Sequence, residues 1–482
     1  MSATHTSSAA GAVDAPPRLL QRANIAPLAL VNLGVGLHAV IWYMAATAMP
    51  TAIGEVGGAE YLSWVGSLYL VTTILGGAVT AMLKGHYGAR NAMLGAGFVV
   101  MIGGLVSATA PTVGFILAGR CIQGLGEGVL IALSYVITRE LFDNRLVPRV
   151  FGTLAATWGG AVFFGPLVGG VLTELFSWRV AFLGAALLPL PMQALAWMIL
   201  RDKHERIFVG KPPLLRVSLL AIGVIGIAIA DRIGSSTLGA LAIVAGIAAV
   251  ALALKLDRHA ATHLITTVFP SLRHRVSLGL WILILMPMAE AGVFVYTPYL
   301  LQLDRDLSPT WAGYFGAIHA LTWSASALAV AWLPPRWHST VILAGPAALA
   351  FGLAVQSITM TGGPLIYVGI ALAFVGIGFG ISHSFINQRI MAAAPEGQED
   401  ATATAIPTLE CLGGAIGAAA AGLIGNAAGF AGPLTTEIVA HGSLGVFGGG
   451  ALIAVLATLA ALVFLRSGAR HAALVRSGSP AE

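Results

Sequence analysis

The sequence predicts a polytopic, all-helical membrane protein, and three observations carry that prediction. Fourteen apolar segments run from Asn24 to Leu465, each close to the 20 or so residues that cross a bilayer as a helix. The chain is 57% hydrophobic and 9% charged, against roughly 25% charged in a soluble domain, and its mean hydropathy is +0.87. A soluble core of that apolarity would have no polar surface to cover it. The basic residues fall in short segments between the apolar ones, almost all in alternate segments. That is the positive-inside distribution.

The spans are predicted in order as follows. Span 1 (25–49) follows Arg18 and Arg22 and closes at Pro50. Spans 2 (61–83) and 3 (92–110) flank a loop holding Lys84 and Arg90. Span 4 (112–137) ends before Arg139, span 5 (150–173) begins after Arg149, and span 6 (179–200) stops at Arg201. Spans 7 (214–231) and 8 (235–254) are separated only by the hinge Asp231-Arg232-Ile233-Gly234-Ser235-Ser236. One long interrupted helix is the other way to read that pair. After the longest loop, 255–275, come spans 9 (276–303), 10 (309–333), 11 (339–358), 12 (363–388), 13 (401–427) and 14 (442–465).

With the N-terminus inside, the inner segments hold 21 of the 25 Lys and Arg. The outer ones hold Arg179, Arg232 and Arg305, and Arg120 lies within a span. An even span number then places both termini on the cytoplasmic side. Residues 1–23, rich in Ser, Ala and Pro, are expected to form a disordered cytoplasmic tail without a cleavable signal, and 466–482 a second tail. The preponderance of Arg over Lys, with much Ala and Gly, points to a GC-rich bacterial genome and so to the inner membrane.

Several function classes drop out. The pI near 9.4 does not signal nucleic-acid binding, because the positive charge sits in membrane-flanking loops. Cys121 and Cys411 both lie in apolar segments with no His or Cys at ligand spacing, so neither a disulfide nor a metal site is expected, and no cofactor is implied. No loop is long enough for a folded soluble domain, which leaves neither a catalytic appendage nor a sensor output module. An intramembrane enzyme would need converging catalytic groups that the sequence does not present. The many glycines inside spans, such as Gly413, Gly414 and Gly417, allow close helix approach.

Four stretches carry a family resemblance. The run Trp158-Gly159-Gly160-Ala161-Val162-Phe163-Phe164-Gly165-Pro166-Leu167-Val168-Gly169-Gly170 in span 5 resembles the antiporter motif of the major facilitator superfamily. Its glycines permit near contact, and Pro166 loosens the local hydrogen-bond ladder. Arg120-Cys121-Ile122-Gln123-Gly124 is similar to the Arg-x-x-Gln-Gly pattern of the fourth span. Leu62-Ser63-Trp64-Val65 with Tyr69-Leu70 opens span 2 as in the fourteen-span drug:proton antiporters. The loop Lys84-Gly85-His86-Tyr87-Gly88-Ala89-Arg90 matches the loop between spans 2 and 3. Two positions depart from the family pattern. Gly85 stands where the loop usually has an aspartate, and Ile41 stands at the usual buried acid of span 1, with His38 one turn earlier.

The resemblance covers essentially the whole chain. It implies a major facilitator fold of 14 transmembrane helices arranged as 6 + 2 + 6. The bundles would be 24–200 and 276–465, with two helices and their linkers inserted at 201–275. Spans 1, 4, 9 and 12 would line a central cavity, helped by 2, 5, 10 and 13. The family precedent is a monomer.

Ionisable residues inside a membrane are costly, at about 2.5–3.5 kcal/mol or more at mid-bilayer, and face the protein interior. The short list near mid-span is His38, Arg120, Glu127, Glu290, His319 and Glu410, with His383, Asn387 and Gln388 toward the inner end of span 12. These residues fall on the helices expected to line the cavity. Glu127, a carboxylate in apolar surroundings, leads as a proton carrier; a structural pair with His38 is its other reading. Seven residues separate it from Arg120, about 10 Å along a helix, too far for a direct pair. Arg120, Glu290, Glu410 and His38 are further proton-coupling candidates, Arg120 on the strength of the resemblance. Glu290, three residues after Pro287, could instead hold a cationic substrate or be satisfied by a neighbouring span. Trp42, Tyr43, Gln123, Trp158, His319, His383 and Asn387 are candidates for the substrate cavity. Gly159, Gly160, Gly165, Pro166, Gly169, Gly170, Lys84, Gly88 and Arg90 make up the conformational motifs. Trp178 and Trp311 read as membrane-boundary residues.

The expected function is proton-coupled efflux of lipophilic or cationic small molecules, with partners limited to substrate, protons and the lipid bilayer. The alternative is export of a single metabolite or lipid with altered or absent proton coupling, which the residues at Ile41 and Gly85 favour.

Overall fold

A computed structural model describes residues 19–143, 145–200, 213–233, 236–260 and 263–477. The expected tail up to residue 18, the linker 201–212, hinge residues Gly234 and Ser235, and residues 478–482 lie outside them. Among the described residues every regular element is helical. The helices are α1 (Arg22–Val56), α2 (Leu62–Ala108), α3 (Val113–Leu141), α4 (Val147–Leu175), α5 (Trp178–Leu187), α6 (Pro189–Ile199), α7 (Leu214–Ala228) and α8 (Ser236–Arg258). There follow α9 (Arg275–Leu303), α10 (Pro309–Val330), α11 (Pro335–Thr359), α12 (Leu365–Ala392), α13 (Glu399–Ala428), α14 (Thr436–Ser443) and α15 (Gly449–Ser477).

Eleven helical stretches among the described residues are long and apolar enough to cross a membrane. The count differs from fourteen at three places. Where the sequence predicts two spans and a loop, α2 runs on through the loop, and its helical path breaks only at Gly88 (φ 78°, ψ 161°). That backbone conformation suits glycine, so two arms meet at a single residue. The apolar helix α7 has only 15 residues. The third is α10, of 22 residues, which falls outside the eleven because His319, Thr322, Ser324 and Ser326 dilute its apolar run.

Helix ends also differ from expectation. Pro50 does not stop α1, which continues to Val56; a proline inside a membrane helix is tolerated where neighbours re-satisfy the freed backbone. Span 6 divides at Leu188 into α5 and α6, with Pro189 opening the second. The last span forms as α14, a wide π turn at Leu444–Gly448, and α15. That helix reaches Ser477, well past residue 466, where a tail was expected to begin.

Helices α1–α6 pack on one another, as do α9–α15, and the α7–α8 hairpin lies against α2 and α13. Glycine makes the closest approaches. A Cβ at Gly124 or Gly128 on α3 would strike the Tyr69 or Thr73 carbonyl of α2, and one at Gly76 on α2 the Leu125 carbonyl. Backbone-to-backbone contact of this kind drives helix association where no hydrophobic effect operates between helices.

The two sets of helices touch at the end where α1, α4, α9 and α13 finish. Gln302 on α9 donates to the Thr47 carbonyl at 2.9 Å and accepts from Thr51 Oγ1 at 3.1 Å. Glu174 on α4 accepts from the Thr310 N–H of α10 at 2.7 Å. Asn426 on α13 donates to the Glu60 carbonyl at 2.8 Å. Beneath these bonds Tyr43 and Val162 of one set pack with Ala317 and Ala320 of the other. Toward the opposite end α4 and α10 part. Pro166 lies 2.8 Å from a Cβ built at Gly313, Ser324 lies 3.9 Å from one at Gly159, and nothing lies within 4 Å at Gly160 or Gly152.

Candidate functional site

Six of the ionisable residues expected in the membrane meet as three His–Glu pairs. In the first, His38 Nδ1 on α1 lies 2.9 Å from Glu127 Oε2 on α3. Tyr69 on α2 completes it: its hydroxyl donates to the same carboxylate oxygen and lies 2.6 Å from His38 Nδ1. Arg120 does not reach Glu127. Its guanidinium stacks on the Tyr69 ring at 3.9 Å, and Nη1 donates to Gln123 Oε1 at 2.9 Å. Tyr69 therefore joins Arg120 to Glu127, and the alternative reading of Glu127 as the partner of His38 describes its contact. Trp158 meets His38 edge-on at 5.6 Å, and Trp42 packs on Tyr69 at 5.2 Å.

The second pair joins α9 to α10. His319 Nε2 is in ion-pair contact with Glu290 Oε1, at an angle that leaves neither atom a well-aligned hydrogen bond. Phe294 caps the His319 ring edge-on at 5.3 Å, and Trp42 reaches Phe294 at 5.7 Å, so an aromatic bridge links the two pairs across the sets. A narrow cavity beside it is lined by Tyr43, Thr47, Phe294, Pro298, Gly313 and His319, with about 20 Å³ of space, room for one water.

The third pair joins α12 to α13: His383 Nε2 lies 2.7 Å from Glu410 Oε1. Asn387 approaches the His383 ring at 3.4 Å, and Trp323 meets it edge-on at 5.7 Å. Burial separates the three. Side-chain exposure is 12% and 1% for His38 and Glu127, 1% and 5% for His319 and Glu290, but 25% and 26% for His383 and Glu410. The first two pairs are sealed and the third is open to the space between the sets. Breaking a buried pair by removing one partner costs about 3–5 kcal/mol, because the other charge is left unpaired.

The span 5 motif divides in the structure. Gly165 and Gly169 face α1, where a Cβ would come within 2.5 Å of Tyr43 Cβ and 2.8 Å of Met44 Cα. Gly170 and Pro166 face α10 across the sets, against Thr310 and Gly313. Gly159 and Gly160 touch little. In the loop motif, Lys84 pairs with Glu140 at the end of α3, and Arg90 stacks on the Trp197 ring at 3.5 Å. Glu140 thus supplies an acid to a motif that has glycine at position 85.

Sequence reasoning did not place Tyr69, Phe294, Trp323 or Gln302 among the site candidates. Tyr69 had a usable signal, since it lies in the span 2 stretch that carries the resemblance. Trp178 is covered by protein rather than exposed as a lipid-facing ring would be: it is buried, and donates to Glu55 at 2.6 Å. Trp311 is 65% exposed. Among the described residues no cluster of three or more His, Cys, Asp or Glu fits a metal ion, and both cysteines are free.

Comparison with known proteins decides the family. Residues 31–418 match the family model of the Major Facilitator Superfamily. The chain belongs to this superfamily. A probable multidrug-efflux transporter of Mycobacterium tuberculosis is 30% identical over 412 residues, covering 82% of this chain and 86% of that one. An efflux pump of Dothistroma septosporum is 31% identical over 192 residues, covering 39% and 32%. Among solved structures, a mutant peptide transporter POT in complex with alafosfalin superposes with a TM-score of 0.67 at 15% identity, covering 91% and 95%. A POT family transporter crystallised in meso gives 0.62 at 17% identity, covering 92% and 98%. These structures support the fold, and the family makes this a multi-pass membrane transporter.

Proposed function

We propose that this major facilitator protein is a proton-coupled exporter of lipophilic or cationic small molecules. The observation that carries the reading is the set of three His–Glu pairs, on helices of both sets, two sealed and one open. A proton moving between imidazole and carboxylate converts an ion pair into a neutral hydrogen bond. It changes the electrostatics of a buried site without moving any other atom. The Tyr69 hydroxyl, shared by His38 and Glu127, gives the proton a path between them. The half-open Glu410, paired with His383 whose ring meets Trp323, suits a cation with an apolar body. Similarity to a multidrug-efflux relative supports the same substrate class.

In this reading the chain crosses a bacterial inner membrane fourteen times as 6 + 2 + 6. Both termini are cytoplasmic, and the protein works as a monomer. Supporting this are the two arms of α2 meeting at Gly88, the short α7, and the separate association of α1–α6 and α9–α15. The Gln302, Glu174 and Asn426 contacts then close the outer end. Alternating access opens them while the inner end closes. Export of one metabolite or lipid without proton coupling is the second reading, favoured by Ile41 at the usual acid position. Substrate-triggered proton flux in proteoliposomes, tested with lipophilic cations and neutral drugs, separates the two.

A further inference from the structure

At the end where α9 begins, basic residues of two helices, α9 and α12, meet at one junction with α15. Gly279, one turn into α9, is the contact point: a Cβ there would strike Ile390 of α12 and lie 3.4 Å from Phe464 of α15. Arg275 opens α9 one turn before Gly279 and holds its guanidinium 5.6 Å from the Phe464 ring. Arg389 precedes Ile390, lies close enough to feel the Arg275 charge, and donates to Ser339 Oγ on α11 at 3.0 Å. Arg466 follows Phe464 by two residues and is exposed.

Among the described residues no carboxylate lies within salt-bridge distance of Arg275 or Arg389. The first turn of α9 has neither an acidic residue nor a side-chain cap, so its leading N–H groups lack the usual acceptor. Three buried polar atoms in that turn also lack partners: His274 Nδ1, Arg275 Nε and Ser277 Oγ, with Ser277 fully buried. Burial holds His274 below its ordinary value, and this part of the fold does nothing to offset that cost.

Orphan donors, two guanidinium groups without a carboxylate partner among the described residues and a helix N-terminus together describe an anion site. We infer that the junction of α9, α12 and α15 binds a phosphate group, presented by an anionic lipid headgroup or by free phosphate. Its position at a helix end, beside lipid-facing α15, suits a headgroup, and basic sites between membrane helices bind lipids in this way. The bound anion would neutralise the repulsion between Arg275 and Arg389. It would thereby hold together the ends of α9 and α12, the helices that carry Glu290 and His383.

Native mass spectrometry of the purified protein tests the site. Phosphatidylglycerol, phosphatidylcholine and inorganic phosphate are added separately to the wild type, to Arg275→Gln/Arg389→Gln, and to Arg145→Gln, which removes an exposed charge elsewhere. Thermal unfolding checks that each variant folds. The expected result is phosphatidylglycerol retention about tenfold above phosphatidylcholine, lost in the double variant and kept in Arg145→Gln. Displacement of phosphatidylglycerol by inorganic phosphate supports the site and names the soluble anion as an occupant. Equal retention of both lipids, or losses as large in Arg145→Gln as in the double variant, would overturn the inference. If the double variant fails to fold, Arg389→Gln alone serves in its place: it removes one of the two guanidinium charges, and unchanged retention there also counts against the site.

Discussion

Gly170→Ala should open the end of the molecule that is closed in the structure. A Cβ at Gly170 lies 2.5 Å from Thr310 Cα and 2.8 Å from Thr310 N. These are backbone atoms that cannot swing aside, and the Thr310 N–H is also the donor to Glu174. Overpacking of this kind costs about 1–3 kcal/mol. Alanine's better helix propensity does not offset it here, since α4 stays helical in either conformation. The whole cost therefore falls on the closed arrangement and shifts the equilibrium by about 5- to 150-fold. Gly160→Ala on the same helix is the control, because a Cβ there meets nothing within 4 Å. Spin labels at the exposed positions Thr109 and Gly362 report the opening by pulsed electron resonance, in a background with Cys121→Ala and Cys411→Ala. Gly170→Ala should populate a longer distance and Gly160→Ala should not. An unchanged distribution in Gly170→Ala, or an equal shift in both, would refute the reasoning.

Three more outcomes follow from the same contacts. Gln302→Leu removes both bonds to α1 and should lengthen the Thr109–Gly362 distance in the same sense but less, since two neutral hydrogen bonds contribute about 0.5–1.5 kcal/mol each. His319→Ala leaves Glu290 buried without its partner and should cost about 3–5 kcal/mol, while adding Glu290→Gln restores part of that stability; thermal unfolding of the two variants reads the difference, and equal loss in both would contradict the pairing. Arg120→Lys keeps the charge but loses the planar stack on Tyr69 and the Nη1 bond to Gln123; transport should fall at least tenfold, and wild-type transport would show that the stack is dispensable.

Much of the fold was legible because hydropathy over 20 residues reports a span whatever surrounds it. Helix ends were harder to read. Pro50 and the Lys84–Arg90 stretch look like terminators in sequence, yet neighbouring helices let α1 pass Pro50, and one left-handed glycine carries α2 past its loop. Trp178 looked lipid-facing because tryptophan at a span end often is; its ring packs into the apolar core instead, with its N–H reaching the exposed Glu55. The ionisable residues of the candidate site could be listed in advance, because charge in a membrane span is expensive wherever it occurs. Of their pairings only His38–Glu127 was foreseen, as the other reading of Glu127; the other two were not, because each histidine and its glutamate lie on different helices. Tyr69 between Arg120 and Glu127 was hidden for the same reason: a tyrosine in a span reads as apolar until its hydroxyl is located.

The most direct test of proton coupling through the pairs compares wild type with Glu127→Gln in proteoliposomes containing a pH dye. A lipophilic cation is added under an imposed pH gradient. Glutamine keeps the shape and can still hydrogen-bond His38, but it cannot exchange a proton. The predicted result is cation-triggered proton movement in the wild type and none in the variant, with cation binding retained. Undiminished proton movement in Glu127→Gln would contradict a coupling role for the His38–Glu127 pair, and its absence in the wild type would favour the uncoupled exporter.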